Sequence, residues 1–398
     1  MFLKPAAPAT SPQSLEVVAF VLDADTERTI KDLVNEEVMP FTVVRRGRVH
    51  DAISFLQTSA SPKLLIVDIS GSAMPLTDID ALADACEPSV AVIVLGESHE
   101  IGLFRDLMQL GVADYLAKPI TTELLRRTIA TRTSRAAASK GRNRTGKIIA
   151  CTGTRGGTGT TTLMTNLGWL LAERSGRRIA LVDMDFASSG VELLLGIKPG
   201  NGLNEALANA ERVDNLFLDR VLVPCGARLS VLGSAMNLAD EPRLDPLSID
   251  LVMRLMEQRF HYVMLDVPHR IGPAYGHLLG SAHIRIIVAD PTLASVRETL
   301  RILQLIGSDS VGQRAIVVLN HHAPPGRGVV SRNEFEDAIG RRVDHEIGYD
   351  RKAVHAENSG LPLANESGPM TEALLDLVSD LSGKKTVVPY SFKRMFWS

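Results

Sequence analysis

Cysteine is scarce in this 398-residue chain: there are 3, Cys86, Cys151 and Cys225. An odd number without metal-ligand spacing indicates reduced thiols in an intracellular compartment, not a disulfide scaffold. Aromatic residues are only 5% of the chain. Apolar runs are also short, since none approaches the ~20 residues that a membrane-spanning helix requires. The sequence therefore argues against a disulfide-stapled domain and against a helical membrane protein.

An excess of one charge is missing too, because the formal net charge is only −3. This balance gives no overall attraction to nucleic acid, so we expect no nucleic-acid partner. Hydrophobic residues make up 45% of the chain, enough for two domain cores. Residues 1–14 are rich in Pro, Ala and Ser and lack the apolar core of a signal peptide, which predicts a disordered leader. Together these features agree with a bacterial cytoplasmic protein.

Residues 15–131 alternate five times between strand-like and helical segments, which predicts an α/β domain with a five-stranded parallel, flavodoxin-like sheet. The strand-like runs are 16–23, 41–46, 63–69, 90–96 and 113–118. Asp23 closes the first run, Asp68 closes the apolar stretch 64–68 within the third, and Lys118 ends the fifth and precedes a proline. This arrangement resembles a response-regulator receiver domain, in which Asp68 would accept the phosphoryl group, Asp23 would help to hold Mg²⁺ and Lys118 would lie beside them.

The resemblance to a receiver is incomplete at two positions. A receiver has a second acid beside Asp23, but here Ala24 follows and Asp25 comes one residue late. A receiver also ends its fourth strand in Ser or Thr, where this chain has Gly96. Fewer carboxylates bind Mg²⁺ more weakly. We therefore expect a degenerate receiver-like domain kept for docking, with a phosphorylation-driven response regulator as the alternative.

Two segments outside the domains are basic. Residues 132–146 are small and polar and carry no acid, which predicts a flexible linker; contact with DNA or anionic lipid is the alternative. The tail 384–398 mixes aromatic and cationic residues. It suits peripheral contact with a membrane interface, while docking onto its own domain or onto a partner is the alternative.

The clearest functional motif begins at Lys147, where a strand leads through a glycine-rich turn into a helix, as in a P-loop. Its backbone N–H groups and the helix dipole suit the phosphates of ATP or ADP. The P-loop lysine is missing, because Thr160 stands in its place, while Thr161 keeps the hydroxyl that would face Mg²⁺. The predicted phosphate-binding residues are Gly153, Arg155, Gly156, Gly157, Thr158, Gly159, Thr160, Thr161 and Thr162.

Three later strands end in polar residues that should share one edge of a parallel sheet. The run from Ile179 ends in Asp183 and Asp185. The run from Tyr262 carries Asp266 close to its end, where a Walker B carboxylate is expected. A further strand ends in Asn320, which predicts a contact with the edge of a base or, alternatively, a turn-forming asparagine.

These motifs resemble the ParA/MinD superfamily of deviant Walker A ATPases, whose loop reads K-G-G-x-G-K-[ST]-[ST]. The resemblance implies a doubly wound P-loop NTPase domain over residues 147–383. It implies that Asp183 and Asp266, with Thr161, serve Mg²⁺, that Asp185 orients the attacking water and that Asn320 reads adenine. Arg155 takes the position of the family's signature lysine, which reaches the partner's phosphates in a nucleotide sandwich homodimer.

A receiver-like domain followed by such an ATPase domain, with an Arg-Gly-Gly loop, resembles the TadZ/CpaE family. This resemblance implies a localisation or assembly factor for the secretion machinery of type IVb (Flp/tight-adherence) pili, acting at a cell pole through pilus or polar partner proteins, with weak or absent ATP hydrolysis. The alternative from another class is an active ParA/MinD-type ATPase that cycles to position cargo or DNA.

Overall fold

The computed structural model shows two compact units, Met1–Thr145 and Gly146–Ser398. The described residues are 16–37, 39, 41–59, 61–136, 145–186, 190–236, 244–270, 272–307, 313–321, 329–363 and 368–382. The expected leader at 1–14 and the basic-aromatic tail at 384–398 lie outside these ranges, as do residues 137–144 of the expected linker. Within the described ranges, no helix is long and apolar enough to cross a membrane.

The first unit alternates strands and helices along the chain. Its elements are β1 (Val17–Val21), α1 (Ala24–Glu36), β2 (Thr42–Arg46), α2 (Val49–Thr58), β3 (Leu64–Asp68), α3 (Pro75–Ala85), β4 (Ala91–Gly96), α4 (Ile101–Gln109), β5 (Asp114–Ala117) and α5 (Thr122–Ala136). The strands form a parallel sheet in the order β2-β1-β3-β4-β5, which is the flavodoxin-like order. The predicted five-stranded sheet is confirmed.

Burial explains why these segments are strands. Every residue of β1 and of β3 is buried, as expected when helices cover both faces of a parallel sheet. Helix α5 continues to Ala136, so residues 132–136 of the expected linker are helical. Arginine and alanine favour helix, and the first helix-weakening glycine comes only at 141, which explains the extension.

The second unit is larger and also doubly wound. Its elements are β6 (Lys147–Gly153), α6 (Thr160–Ser175), β7 (Ile179–Asp183), α7 (Val191–Leu194), α8 (Gly202–Ala208), α9 (Asn215–Val221), β8 (Val223–Pro224), β9 (Leu229–Leu232), α10 (Pro246–Arg259), β10 (Tyr262–Val267), α11 (Pro273–Ser281), β11 (Ile284–Ala289), α12 (Leu293–Ile306), β12 (Arg314–Asn320), α13 (Arg332–Ile339), β13 (His345–Ile347), α14 (Lys352–Ser359) and α15 (Pro369–Ser382).

The eight-stranded sheet of this unit has the order β13-β12-β11-β6-β10-β7-β9-β8. All pairs are parallel except β8 with β9. The P-loop strand β6 lies between β11 and β10, which come much later in the chain, so the topology changes direction there. Ligands of open α/β sheets bind at the carboxyl edge of such a point. The short strands β8, β9 and β13, at the two ends of the sheet, were not predicted.

Candidate functional site

The P-loop joins Gly153 at the end of β6 to Thr160 at the start of α6. Gly157 and Gly159 have φ angles of 83° and 84°, a region that L side chains rarely adopt. Gly159 is the N-cap of α6 and has no side chain to cap the first amides. Because these amides point out of a helix N-terminus, they can bind phosphate oxygens.

Threonine hydroxyls form hydrogen bonds within this loop. Thr158 Oγ1 donates to the carbonyl of Arg155 at 3.1 Å and lies 3.2 Å from Thr160 Oγ1. A methyl group built on Gly153 would lie 2.5 Å from Thr158 Oγ1 and 2.6 Å from Thr160 Oγ1, so only glycine fits there. The cradle is therefore organised by hydroxyl groups, and Thr160 contributes a hydrogen bond to the loop but no positive charge.

The predicted metal-binding acids do meet at the sheet edge. The register places Asp266 on β10 directly beside Asp183 on β7. Burial raises the pKa of Asp266 to about 7, the charge of Asp183 adds to this rise, and a hydrogen bond from Thr161 opposes it. Among the described residues, the Oδ2 atom of Asp266 is buried without a hydrogen-bond partner. A buried carboxylate oxygen without a donor, beside a second carboxylate and the Thr161 hydroxyl, fits Mg²⁺, which prefers oxygen ligands.

Asp183 also organises the loop that follows β7. Its Oδ1 accepts from the amide of Asp185 at 3.0 Å, and its Oδ2 accepts from the amides of Gly190 and Val191 at 3.0 and 3.3 Å. Asp185, the predicted water-orienting residue, is only partly buried. Burial raises the pKa of Tyr275 to about 12, and the charges of Asp185 and Asp183 add to the shift. Asp185 therefore lies in the same acidic cluster as the predicted metal ligands.

Arg155 is paired within its own chain. Its Nε donates to Asp290 Oδ2 at 3.1 Å, and its Nη2 makes a second, shorter contact with the same oxygen. Asp290 is fully buried and also accepts from the hydroxyls of Thr292 and Ser295. Burial raises the pKa of Asp290, but these hydrogen bonds, Arg155 first, lower it overall. The pair links the P-loop to the end of β11.

Asn320 is buried at the end of β12, close to the P-loop. Its Nδ2 donates to the carbonyl of Thr158 at 2.8 Å and would lie 2.7 Å from a methyl group built on Gly159. This side chain therefore supports the cradle. Its predicted contact with adenine remains a prediction.

Sequence reasoning missed two residues at this edge. Asp290, the partner of Arg155, was given no role from the sequence; its position directly after strand β11 was the available signal. His269 lies close to the P-loop, since a methyl group on Gly156 would be 3.4 Å from its Cε1 atom. Its place just beyond Asp266 was the only hint in the sequence.

The first unit has a second acidic site at the carboxyl edge of its own sheet. Lys118 Nζ lies 2.5 Å from Asp23 Oδ2 and makes a shorter contact with Asp68 Oδ2. Asp68 also accepts from the amides of Leu22 at 3.1 Å and Ser70 at 3.0 Å. Burial raises the pKa of Asp23, but hydrogen bonds from Lys118 and Thr26 outweigh it and lower the value to about 2. The three predicted remnant residues are thus brought together.

The two departures from a receiver have structural counterparts. The Asp25 side chain is 93% exposed, 3.6 Å from Arg28, and lies outside the acidic site. At Gly96, a methyl group would lie 2.6 Å from the hydroxyl of Tyr115, which donates to the carbonyl of Ser98 at 2.7 Å. The tyrosine therefore fills the space that a serine or threonine side chain would need.

Comparison with known proteins agrees with this geometry. The septum site-determining protein MinD of Synechocystis sp. is 28% identical over 228 residues, which are 55% of this chain and 82% of that protein. MinD from Pyrococcus horikoshii OT3, solved as a complex with Mg-ADP, is 20% identical, covers 59% of this chain and 96% of its own, and has a TM-score of 0.52. At that identity the likeness shows the fold.

A pilus assembly protein, CpaE from Caulobacter crescentus CB15, is 28% identical and covers 30% of this chain and 96% of its own, with a TM-score of 0.28. Residues 149–363, more than half of the chain, match the CobQ/CobB/MinD/ParA nucleotide binding domain. This match includes the P-loop and the acidic residues of β7 and β10. The chain therefore belongs to the CobQ/CobB/MinD/ParA nucleotide-binding family.

Proposed function

We propose that this chain is a nucleotide-responsive localisation or assembly factor for the secretion machinery of type IVb (Flp/tight-adherence) pili, acting at a cell pole with slow or no ATP hydrolysis. The observation that carries the proposal is a phosphate cradle kept in shape without its lysine, in a chain that begins with a receiver-like unit. The order of these units and the Arg-Gly-Gly loop support the pilus assignment. The partners would be polar proteins or pilus components.

Nucleotide and Mg²⁺ would bind at the edge already described. The amides of Gly156 to Thr162 would hold phosphates, and Thr161 with Asp266 would hold the ion. Mg²⁺ neutralises phosphate charge when it is bound. Losing one charged donor from a phosphate-transfer site typically lowers the rate constant on the order of a hundredfold or more. We therefore expect binding to survive better than turnover.

Restoring the lysine tests this directly. In the purified full-length chain, Thr160→Lys should raise the rate of Mg-ATP hydrolysis on the order of a hundredfold, because it returns the missing cation to the phosphates. Thr160→Met, which matches the length without the charge, is the control. Fast turnover in the wild type that Asp185→Ala abolishes would support the second candidate, an active ParA/MinD-type ATPase, which the unpartnered Asp266 oxygen favours.

We further propose that ATP supports a homodimer through Arg155. In the single chain this guanidinium is held by Asp290, so its contact with a partner's phosphates would replace that ion pair. Analytical ultracentrifugation should show an ATP-dependent shift to dimer in the wild type and none in Arg155→Ala. A dimer indifferent to nucleotide and to this substitution would place the interface elsewhere.

The receiver-like unit would recruit a partner without being phosphorylated. Asp68→Asn keeps the size of the side chain and removes its charge, so a fluorescent fusion carrying it should keep the wild-type cellular position. Loss of position, with folding intact by circular dichroism, would favour a phosphorylation-driven response regulator.

A further inference from the structure

Among loop residues 153–160, the positively charged side chain is already paired and does not face the phosphates. Thr160 stands at the lysine position and turns its hydroxyl into the loop, toward Thr158. Arg155, the basic residue of the loop, donates hydrogen bonds from its Nε and Nη2 atoms to the buried carboxylate of Asp290. A bound nucleoside triphosphate would therefore present its terminal phosphates to backbone amides and to an acidic edge. That combination calls for a cation from another element.

His269 is placed to supply that cation. It follows β10 and lies against the P-loop, because a methyl group on Gly156 would be 3.4 Å from Cε1, 3.8 Å from Nε2 and 3.9 Å from Nδ1. Gly156 and His269 are both exposed, so the ring lies at the open side of the cradle.

Within the part of the chain that the structure describes, the His269 ring is also available to a ligand. Within the described ranges, His269 makes no hydrogen bond and no ion pair, unlike Arg155. A neutral imidazole has one N–H donor, and the protonated ring has two. An anion within a few ångströms favours the protonated ring, since opposite charges stabilise each other. A phosphate at Gly156 would therefore meet a ring N–H that can donate a hydrogen bond to it.

We propose that His269 binds the terminal phosphates of a nucleoside triphosphate and supplies the positive charge that Thr160 does not. The inference rests on the proposed nucleotide binding and adds a specific residue to it. The charge comes from the loop after the Walker B strand, so it adjoins both the cradle and the Asp266 edge. Release of the terminal phosphate would remove the group that His269 binds.

The test is isothermal titration of the full-length chain with Mg-ATP, Mg-ADP and inorganic triphosphate. His269→Ala should weaken ATP and triphosphate binding about tenfold, the effect of losing one charge-assisted hydrogen bond. ADP binding should change less, because its chain of phosphates is shorter. His269→Lys should restore ATP affinity, since a lysine returns the charge. An exposed side chain without partners should leave the melting temperature unchanged in both variants.

His99→Ala is the matched control, because His99 is also exposed but belongs to the other unit. It should bind all three ligands like the wild type. If the wild type binds ATP and His269→Ala binds it equally well, the inference is wrong while the proposed function stands. If His269→Lys binds as weakly as His269→Ala, a charge role is likewise wrong. If the wild type binds no nucleotide, the proposed function fails, and this inference fails with it.

Discussion

The two units each gather carboxylates at the carboxyl edge of a parallel sheet, but they satisfy them in opposite ways. In the first unit, Lys118 contacts both Asp23 and Asp68, and the pKa of Asp23 falls to about 2. In the second unit, Asp266 lies beside Asp183, and its pKa rises to about 7. The first site carries its own cation, whereas Asp266 Oδ2 in the second has no hydrogen-bond partner among the described residues. This difference teaches that similar sheet edges can be balanced differently: a lysine neutralises the first, while burial and a neighbouring carboxylate raise the pKa of Asp266 in the second.

The largest expected effect comes from removing the internal cation of the first unit. Lys118→Met would leave Asp68 buried with no opposing charge, and breaking a buried pair in this way typically costs about 3–5 kcal/mol of unfolding free energy. The side chains of Lys118 and Asp68 are 11% and 0% exposed. Because Trp169 and Trp397, the two tryptophans, are in the second unit, hydrogen exchange of β1 and β3 peptides is the suitable measurement.

Lys31→Met is the control for that substitution. Lys31 pairs with Glu27 at 2.6 Å, but its side chain is 53% exposed. Exposed pairs of this kind contribute at most about 1 kcal/mol. Equal losses of hydrogen-exchange protection in β1 and β3 for the two variants would contradict the view that the buried Lys118 stabilises the first site.

The next largest effect should appear at Asp266, with the opposite sign. Its pKa in the folded chain is raised from 3.8 to about 7, so the folded state binds more protons than the unfolded state between these values. Stability from this group is therefore complete below about pH 4 and is lost as the pH rises through 7. Asp266→Asn cannot ionise and should stabilise the magnesium-free chain at pH 8 by roughly 2–4 kcal/mol.

Urea denaturation followed by tryptophan fluorescence measures this change, and repeating it at pH 4 should abolish the difference. The variant should also lose Mg²⁺-dependent nucleotide binding. Asp380→Asn is a control of opposite sign: burial raises the pKa of Asp380, but Arg314 at 2.6 Å and His345 outweigh burial and lower that pKa overall. A destabilised Asp266→Asn chain at pH 8 would contradict the raised pKa of Asp266 in the folded chain.

Much of this comparison could be predicted from the sequence, because strand ends are visible in the pattern of apolar residues. The positions of Asp68, Asp183 and Asp266 at one edge of each sheet follow from apolar runs that end in acids. The pairing of Arg155 with Asp290 could not be predicted in the same way. It joins residues 135 positions apart in sequence and depends on β11 lying beside β6.

The edge strands were missed for a different reason. Strands β8 and β13 have two and three residues, too few to show any periodicity. The role of Tyr115 was missed because Gly96 was considered only as an absent hydroxyl. Packing, which a single sequence does not display, places a tyrosine hydroxyl from β5 in the space above it.

A smaller loss of stability is expected when a side chain is added at Gly96. Gly96→Ala places a methyl group 2.6 Å from the Tyr115 hydroxyl and 3.0 Å from its Cε2, so the ring must move. Overpacking of this kind costs about 1–3 kcal/mol. Hydrogen exchange of β4 and β5 peptides should show the loss, and Tyr115→Leu should offset part of it in the double variant. Gly102→Ala is the control, since a methyl group there meets nothing within 4 Å.

The smallest predicted effect is a pH dependence in the second unit that the first should not share. His283 Nδ1 accepts from the amide of Ile148 at 3.1 Å, which requires an unprotonated nitrogen. Burial, and then the charge of Lys147, lower the pKa of His283 below its usual 6.5. The unfolded chain therefore takes up the proton first, and stability from this group, full above about pH 6.5, declines as the pH falls.

His283→Asn keeps an acceptor for the Ile148 amide but does not titrate in this range. Because Asp266 responds with the opposite sign, the measured quantity is the wild-type minus His283→Asn difference in unfolding free energy, which should become less favourable to the wild type between pH 7.5 and 5.5. An unchanged difference over that range would contradict a lowered pKa of His283 in the folded chain.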